Sequence, residues 1–480
     1  MEYYKPLKMK KLNLLFLLIA LLTLNTFSQK LQVSQNNRYL ETVDGKPFLW
    51  IGDTAWELFH KLNREEAVEY LKNRKAKGFS VIQAVVLAEN DGLRTPNSYG
   101  EVPLIDLDPT QPNEKYFEHV DFIVNEAEKL GLVIGMLPTW GDKIYSENPG
   151  AGPIVFNREN AFVYGEFLGK RYKNNPIVWI LGGDRNIANN EVLEIWRAMA
   201  TGLKKGDAGN HLITFHPRGG TSSSKTLHQE EWLDFNMYQS GHGQRFNNVY
   251  DYAENDLKLS PQKPTVDGEP AYEDIAVKFW EYMDFSKNSE KRVTQGVLNK
   301  EGLIQDKSHF KEGFFTDYDV RVHAYWDFLS GAAGYTYGNN AIWQMFKKGG
   351  NIAIPCLFDW RESMDRPGAF SLQHIRTLLE DKFYKIVPDL SIINNPIVKG
   401  ENYIAAACSN DNSFALIYLA KGQPIKVKMH KMAGKVKASW FNPRNGLTKE
   451  IGTFRNKGER EFKPPGSGIN NDWLLLLEMT

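Results

Sequence analysis

The feature that most constrains this chain is a repeated alternation. Eight short apolar runs are separated by amphipathic stretches, starting near residue 36 and spanning roughly 300 residues. The runs are "PFLWIGDTAW", "FSVIQAVVLAEN", "LVIGMLPTWGD", "NNPIVWILGGD", "HLITFHPRGG", "LDFNMYQSGHG", "KPTVDGEPAYE" and "GAAGYTYGNNAIW". They are apolar throughout, as strands covered on both faces must be. The first intervening stretch, "NREEAVEYLKNRKAKG", has Asn63 at a helix N-cap, Glu66 three residues on and Gly78 just past the end. Strand followed by helix, repeated, implies a parallel sheet with crossover helices, and eight such units are a (β/α)₈ TIM barrel. An open doubly wound sheet fits less well. "IGDTAWEL" has one glycine, where a dinucleotide fold needs a glycine-rich phosphate loop.

The texture changes at both ends of this region. Lys5, Lys8, Lys10 and Lys11 precede an apolar run over residues 12–24, followed by "NTFSQK". This reads as an export signal over residues 1–28, cleaved near Ser28–Gln29, and predicts a periplasmic, extracellular or cell-surface location. The run is too short to span a bilayer, no later segment is long and apolar enough, and no cysteine follows it to carry a lipid. The barrel then covers residues 29–367. Residues 368–394, with "GAFSLQHIRTLLEDKF", read as a connecting helix and linker. Residues 395–480 show short strands separated by Asn, Gly and Asp turns, a small antiparallel β-sandwich.

Composition excludes several function classes. The formal net charge is zero and no basic stripe is present, which argues against nucleic acid. Cys356 and Cys408 are the two cysteines; a chain this long needs no staple, so both read as buried free thiols. The 10 histidines do not cluster and no His-x-His follows the first strand, so neither a metal nor a cofactor is expected. A monomer is the expected assembly.

In a barrel, chemistry sits where strands end. The ends carry Asp53 and Trp56; Glu89, Asn90 and Asp91; Trp140 and Asp142; Asp184, Arg185 and Asn186; His216 and Arg218; Tyr238 and His242; Glu269 and Tyr272; and Tyr337, Asn339 and Trp343. Such a ring of acids, amides, guanidiniums and aromatics suits a polysaccharide or oligosaccharide, whose hydroxyls take polar groups and whose C–H faces stack on rings. Candidate sugar contacts are Asp53, Trp56, Trp140, Asn186, His216, Tyr238, His242, Tyr272, Asn339 and Trp343, although any of them could instead serve the core or a turn. Glycoside hydrolysis needs two carboxyl groups across one bond, and Asp184 with Glu269 is the natural pair. They lie 85 residues apart, an ordinary spacing for strands four and seven. Two glycines before Asp184 remove side chains where something must approach closely.

These residues resemble clan A glycoside hydrolases. More closely, "GDTAWEL", "ILGGDRN" and "GEPAYE" in that order, with a later sandwich containing "WFNPRNG", resemble the apiosidase-type family, whose barrel is followed by a collagen-binding-like domain. Gly183-Asp184 stands where most clan A enzymes carry Asn-Glu. The resemblance implies Asp184 as general acid/base, Glu269 as nucleophile, and release of apiose-containing units from the pectin rhamnogalacturonan-II. It implies a retaining double displacement, with carboxyl groups about 5–5.5 Å apart, as against about 6.5–9.5 Å for inversion. Two other readings remain open: a glycosidase of the same fold acting on another pentose or hexose, and a catalytically silent glycan-binding or adhesion protein.

Overall fold

Residues that are apolar on both faces pair into one sheet. The computed structural model describes residues 30–146, 152–287 and 291–480, so the expected export signal lies outside the described residues. The barrel strands are β1 (Trp50–Thr54), β2 (Val81–Leu87), β3 (Val133–Thr139), β4 (Ile177–Gly182), β5 (Ile213–His216), β6 (Asn236–Gln239), β7 (Thr265–Asp267) and β8 (Gly334–Tyr337). They lie in the order β5-β4-β3-β2-β1-β8-β7-β6, and every pair is parallel. Side chains and backbone close the seam between β5 and β6. Thr214 Oγ1 donates to the Phe235 carbonyl and Ile213 N to Asp234 Oδ2, both at 2.7 Å.

The outer helices include α1 (Arg64–Ala76), α2 (Glu114–Lys129), α3 (Arg158–Tyr172), α4 (Asn190–Asp207), α5 (Tyr250–Asp256), α6 (Asp317–Leu329) and α7 (Pro367–Leu379). Helix α1 starts with the capping box expected for Asn63 and Glu66. Among the described residues no helix is long and apolar enough to cross a membrane. The segment read as a connecting helix forms α7. Its Ala369, Leu372 and Ile375 pack with Ile51, Tyr335 and Tyr337 of β1 and β8.

Strand side chains alternate between the barrel interior and the helix layer. Trp50, Val81, Val85, Val133, Leu137, Val178, Ile180, Met237 and Val266 fill the interior. Trp50 is fully buried, and its Nε1 donates to Thr336 Oγ1 at 3.0 Å. The opposite parity faces outward. Asp53 of β1 is fully buried against α1, where Arg74 Nε lies 2.6 Å from its Oδ2 and the Tyr70 hydroxyl 2.5 Å. Breaking a buried ion pair strands a charge. Arg74→Leu is therefore expected to cost about 3–5 kcal/mol of unfolding free energy by denaturant titration. Activity per folded molecule should stay unchanged.

The second domain holds a six-stranded antiparallel sheet from β9 (Ile386–Pro388) to the C-terminal strand Trp473–Met479, plus a two-stranded pair. It shares a core with the barrel. Tyr325 of α6 stacks on Tyr418 with ring centres 4.5 Å apart, and Tyr250 on Tyr403 at 3.6 Å. Arg321 of α6 bonds Asp472 through Nε (3.0 Å) and Nη2 (3.2 Å), and the Tyr418 hydroxyl donates to the same carboxylate. Cys356 and Cys408 are buried free thiols, as the composition implied.

Candidate active site

Strand β4 runs out into Gly182, Gly183 and Asp184, whose φ angles are 90°, 107° and 53°. Three consecutive residues in the left-handed region make a sharp turn. Side chains on the two glycines would not fit: a Cβ on Gly182 would overlap the His216 carbonyl oxygen, and one on Gly183 would meet the Trp140 ring at 2.8 Å. The turn is pinned on both sides, with Gly183 N donating to His216 O (3.0 Å) and Gly141 N to Gly183 O (3.1 Å). Asp184, as a non-glycine there, stores on the order of 1–3 kcal/mol of backbone strain, a cost borne where surrounding structure dictates the geometry. The turn aims its carboxyl into the barrel mouth, where it keeps 40% exposure beside Arg185. Desolvation by the cleft walls, and then the negative charge of Glu269, raise its pKa above the ordinary aspartate value.

Glu269 has the opposite environment. It follows the tight Gly268, which is packed against Met237, and only 9% of its side chain is exposed. His242 Nε2 lies 3.1 Å from Oε1. His242 Nδ1 faces the backbone N–H of Tyr272 at 3.3 Å, and an amide N–H can only donate. The network therefore assigns the neutral His242 proton to Nε2, which donates to Glu269. His216 Nε2 lies 3.1 Å from Oε2, at an angle too oblique for a regular hydrogen bond. Burial by itself would raise the Glu269 carboxyl. The two imidazoles outweigh it and draw the pKa down to about 2. One carboxyl of the pair thus holds its proton more tightly than usual and the other sheds it, the division of labour that acid and nucleophile require.

The backbone of Glu269 is fixed as well. Its N–H points to Asp267 Oδ1 (3.3 Å), its carbonyl accepts from Gly241 N (3.0 Å), and Ser240 Oγ donates to Asp267 Oδ2 (2.6 Å). Behind Asp267 lies buried Asp327, which accepts from the Tyr238 hydroxyl at 2.8 Å. Burial and then the Asp267 charge push Asp327 well above the usual range, and burial lifts Asp267 to about 7. Asp327 therefore holds its proton more tightly than a usual carboxyl, beneath the loop that carries Glu269.

Seven of the twelve residues singled out in the sequence converge here. Besides the two acids and two histidines, Trp56 donates through Nε1 to the Tyr272 hydroxyl (3.1 Å) and sits 5.3 Å from both the Trp140 and His216 rings. Trp343 belongs to the same buried aromatic cluster, with Nε1 on Asn340 Oδ1 at 3.3 Å. Asn186 is exposed on the rim and accepts from Arg218 N at 3.2 Å. The remaining three are held by the scaffold. Asp53 faces α1. Tyr238 is fully buried, bonded to Asp327 and stacked on Tyr252 at 5.1 Å. Asn339 is fully buried, caps Ala341 N, and donates to Asp274 Oδ2 at 3.0 Å.

Glu89, after β2, is more closely tied to the site than its position at a strand end suggested. Burial, then the charges of Glu57, Asp142 and Asp184, push its carboxyl up to about 8. Glu57 of the "GDTAWEL" stretch is itself buried and lies 2.8 Å from His60 Nδ1. Asp142 pairs with the fully buried Lys143 at 2.8 Å. Each acid directly follows an apolar run, and that position was the available signal.

The sequence profile of the apiosidase-like catalytic domain matches residues 34–385. The chain belongs to the apiosidase-like family. The profile of the collagen-binding-like domain described from a collagenase matches residues 387–478 of this apiosidase-like protein. A solved glycoside hydrolase is 33% identical, with a TM-score of 0.80 over 94% of this chain and 97% of its own. A family 5 glycoside hydrolase from Bacteroides vulgatus ATCC 8482 is 31% identical, with a TM-score of 0.79 over 94% and 93%. No curated protein matches. The apiosidase-like chain is thus a glycoside hydrolase with the family 5 type of barrel, and the mouth of that barrel presents Asp184 and Glu269.

Proposed function

We propose that this glycoside hydrolase is a retaining apiosidase that releases apiose-linked units from the side chains of rhamnogalacturonan-II, exported and acting as a monomer. The observation that carries the catalytic reading is the opposed displacement of the two carboxyls: Asp184 upward, Glu269 downward. In the first step a Glu269 carboxylate oxygen attacks the anomeric carbon. The bond to the leaving oxygen breaks as Asp184 delivers its proton there. The sugar is then esterified to Glu269. In the second step Asp184, now a carboxylate, takes a proton from water, whose oxygen attacks the same carbon and frees Glu269. Two inversions give net retention.

The apiose assignment is supported by the family to which the chain belongs. Incubation with a panel of pectic oligosaccharides, with the released sugar identified, tests it. Apiose-containing products are expected from rhamnogalacturonan-II fragments. No release from them discards apiose as the substrate, and release of another pentose or hexose reassigns it. Proton NMR of the first-formed anomer tests retention on whichever substrate turns over; an inverted product removes the double displacement.

A further inference from the structure

The chain has 12 tryptophans, and among the described residues Trp280 is the one tryptophan with a largely exposed side chain, at 46%. It lies on the long connection between β7 and α6, residues 268–316, which begins with Glu269 and Tyr272. Binding residues are disproportionately carried on loops held by a rigid scaffold. Trp280 is also held in place. Its ring meets Phe279 edge-on at 5.2 Å, and Phe279 lies 6.0 Å from the His242 ring. Lys278 N donates to the His242 carbonyl at 3.0 Å, and the far edge of the indole reaches Gly243. The contacts therefore run Glu269, His242, Phe279, Trp280, so two side chains separate the exposed indole from Glu269. Phe285, 49% exposed, lies 6.2 Å from Phe279, with the Arg292 guanidinium over its face at 5.5 Å.

Trp56 and Trp140 line the bottom of the same mouth but are nearly fully buried, so they cannot offer a face to a ring farther out. An indole left in water beside a cleft lined with carboxyls, imidazoles and guanidiniums fits an amphipathic ligand. A sugar ring stacks a C–H face on the indole and keeps its hydroxyls in water.

We propose that Trp280, flanked by Phe285, is the stacking platform of an outer subsite, which holds a sugar residue of the glycan beyond the one whose anomeric carbon Glu269 attacks. This rests on the glycosidase chemistry of the site and not on apiose being the sugar released.

The test uses the full chain and the variants Trp280→Ala and Trp280→Phe, with near-ultraviolet circular dichroism as a check of folding. Two substrates are compared: a pectic oligosaccharide that the wild type cleaves, and the fluoride of the released sugar, which has no outer ring. Trp280→Ala is expected to raise KM about tenfold on the oligosaccharide, with kcat and KM on the fluoride unchanged; Trp280→Phe recovers most of the loss. Equal effects on both substrates, or none on either, overturn the subsite. Electrophoresis in native gels cast with soluble pectin or mannan gives a readout independent of turnover. Retardation of the wild type that Trp280→Ala loses supports the platform even if apiose is not the sugar cleaved. Equal mobility of the two proteins, or no retardation of the wild type in either gel, overturns it.

Discussion

Glu269→Gln is expected to lower kcat by on the order of 10⁴-fold while leaving the fold intact. The substitution keeps size and a carbonyl oxygen, so the N–H of His242, now 3.1 Å from Oε1, still finds an acceptor. What is lost is the charge that attacks the anomeric carbon. Two readouts separate this from general damage. The melting temperature should fall by only a few degrees, the loss expected when a charge that the two imidazoles stabilise is removed, and the near-ultraviolet circular dichroism at the assay temperature should match that of the wild type. In Glu269→Ala, added azide should enter the space left by the side chain and attack from the nucleophile's face, giving a glycosyl azide of inverted configuration. Recovery with retained configuration would assign the nucleophile elsewhere. The substitution should also act on its partner. The Glu269 charge is the second cause, after desolvation, of the raised Asp184 pKa, so the Asp184 pKa followed by carbon-13 NMR should fall in Glu269→Gln.

Asp184→Ala is expected to reduce kcat/KM by roughly 10²–10⁴-fold on natural linkages, whose leaving alcohol needs a proton. The loss should shrink for an activated aryl glycoside, whose leaving group departs unaided. Deglycosylation then becomes slow for want of a base, and azide should restore turnover with retained configuration. The pH dependence follows from the two displacements. Asp184 works as the acid only while protonated, and its pKa is raised. Activity is present below that pKa and falls as pH rises through it. Glu269 works only when ionised, and its pKa is about 2. Its limb appears only as pH drops toward that value, so the active window of kcat/KM is wide on the acid side. In Asp184→Ala the alkaline limb set by Asp184 should vanish from the profile of an activated substrate. If it persists, another group sets it; Glu89, pushed up to about 8 beside Asp184, is then the group to replace.

Much of this arrangement was legible in local sequence, because period and punctuation are local properties. Wholly apolar runs of strand length, each followed by a helical pattern, allow few folds, and the runs ended on the residues that now meet at the mouth. The two glycines before Asp184 were correctly read as a mark of close approach. The groups they admit, the His216 carbonyl and the Trp140 ring, come from neighbouring strands. Less legible was which way each strand-end side chain points. Asp53 has the same parity as Ile51, which packs in the helix layer, and lies between inward-facing neighbours. Tyr238 likewise follows the inward Met237. Counting from the strand end located both residues but did not orient them.

The sequence by itself therefore determined the barrel and the antiparallel C-terminal domain, and it brought forward Asp184 and Glu269 as the candidate acids. Only the tertiary structure decided their protonation. A carboxyl's pKa depends on what lies within a few ångströms of it, and for Glu269 those neighbours come from β5 and from the loop after β6, 53 and 27 residues away in the chain. No local pattern encodes that neighbourhood. It exists because a closed parallel barrel brings the ends of all eight strands to one rim, where His216 and His242 can strip a proton from one acid while that acid's charge secures the proton on the other.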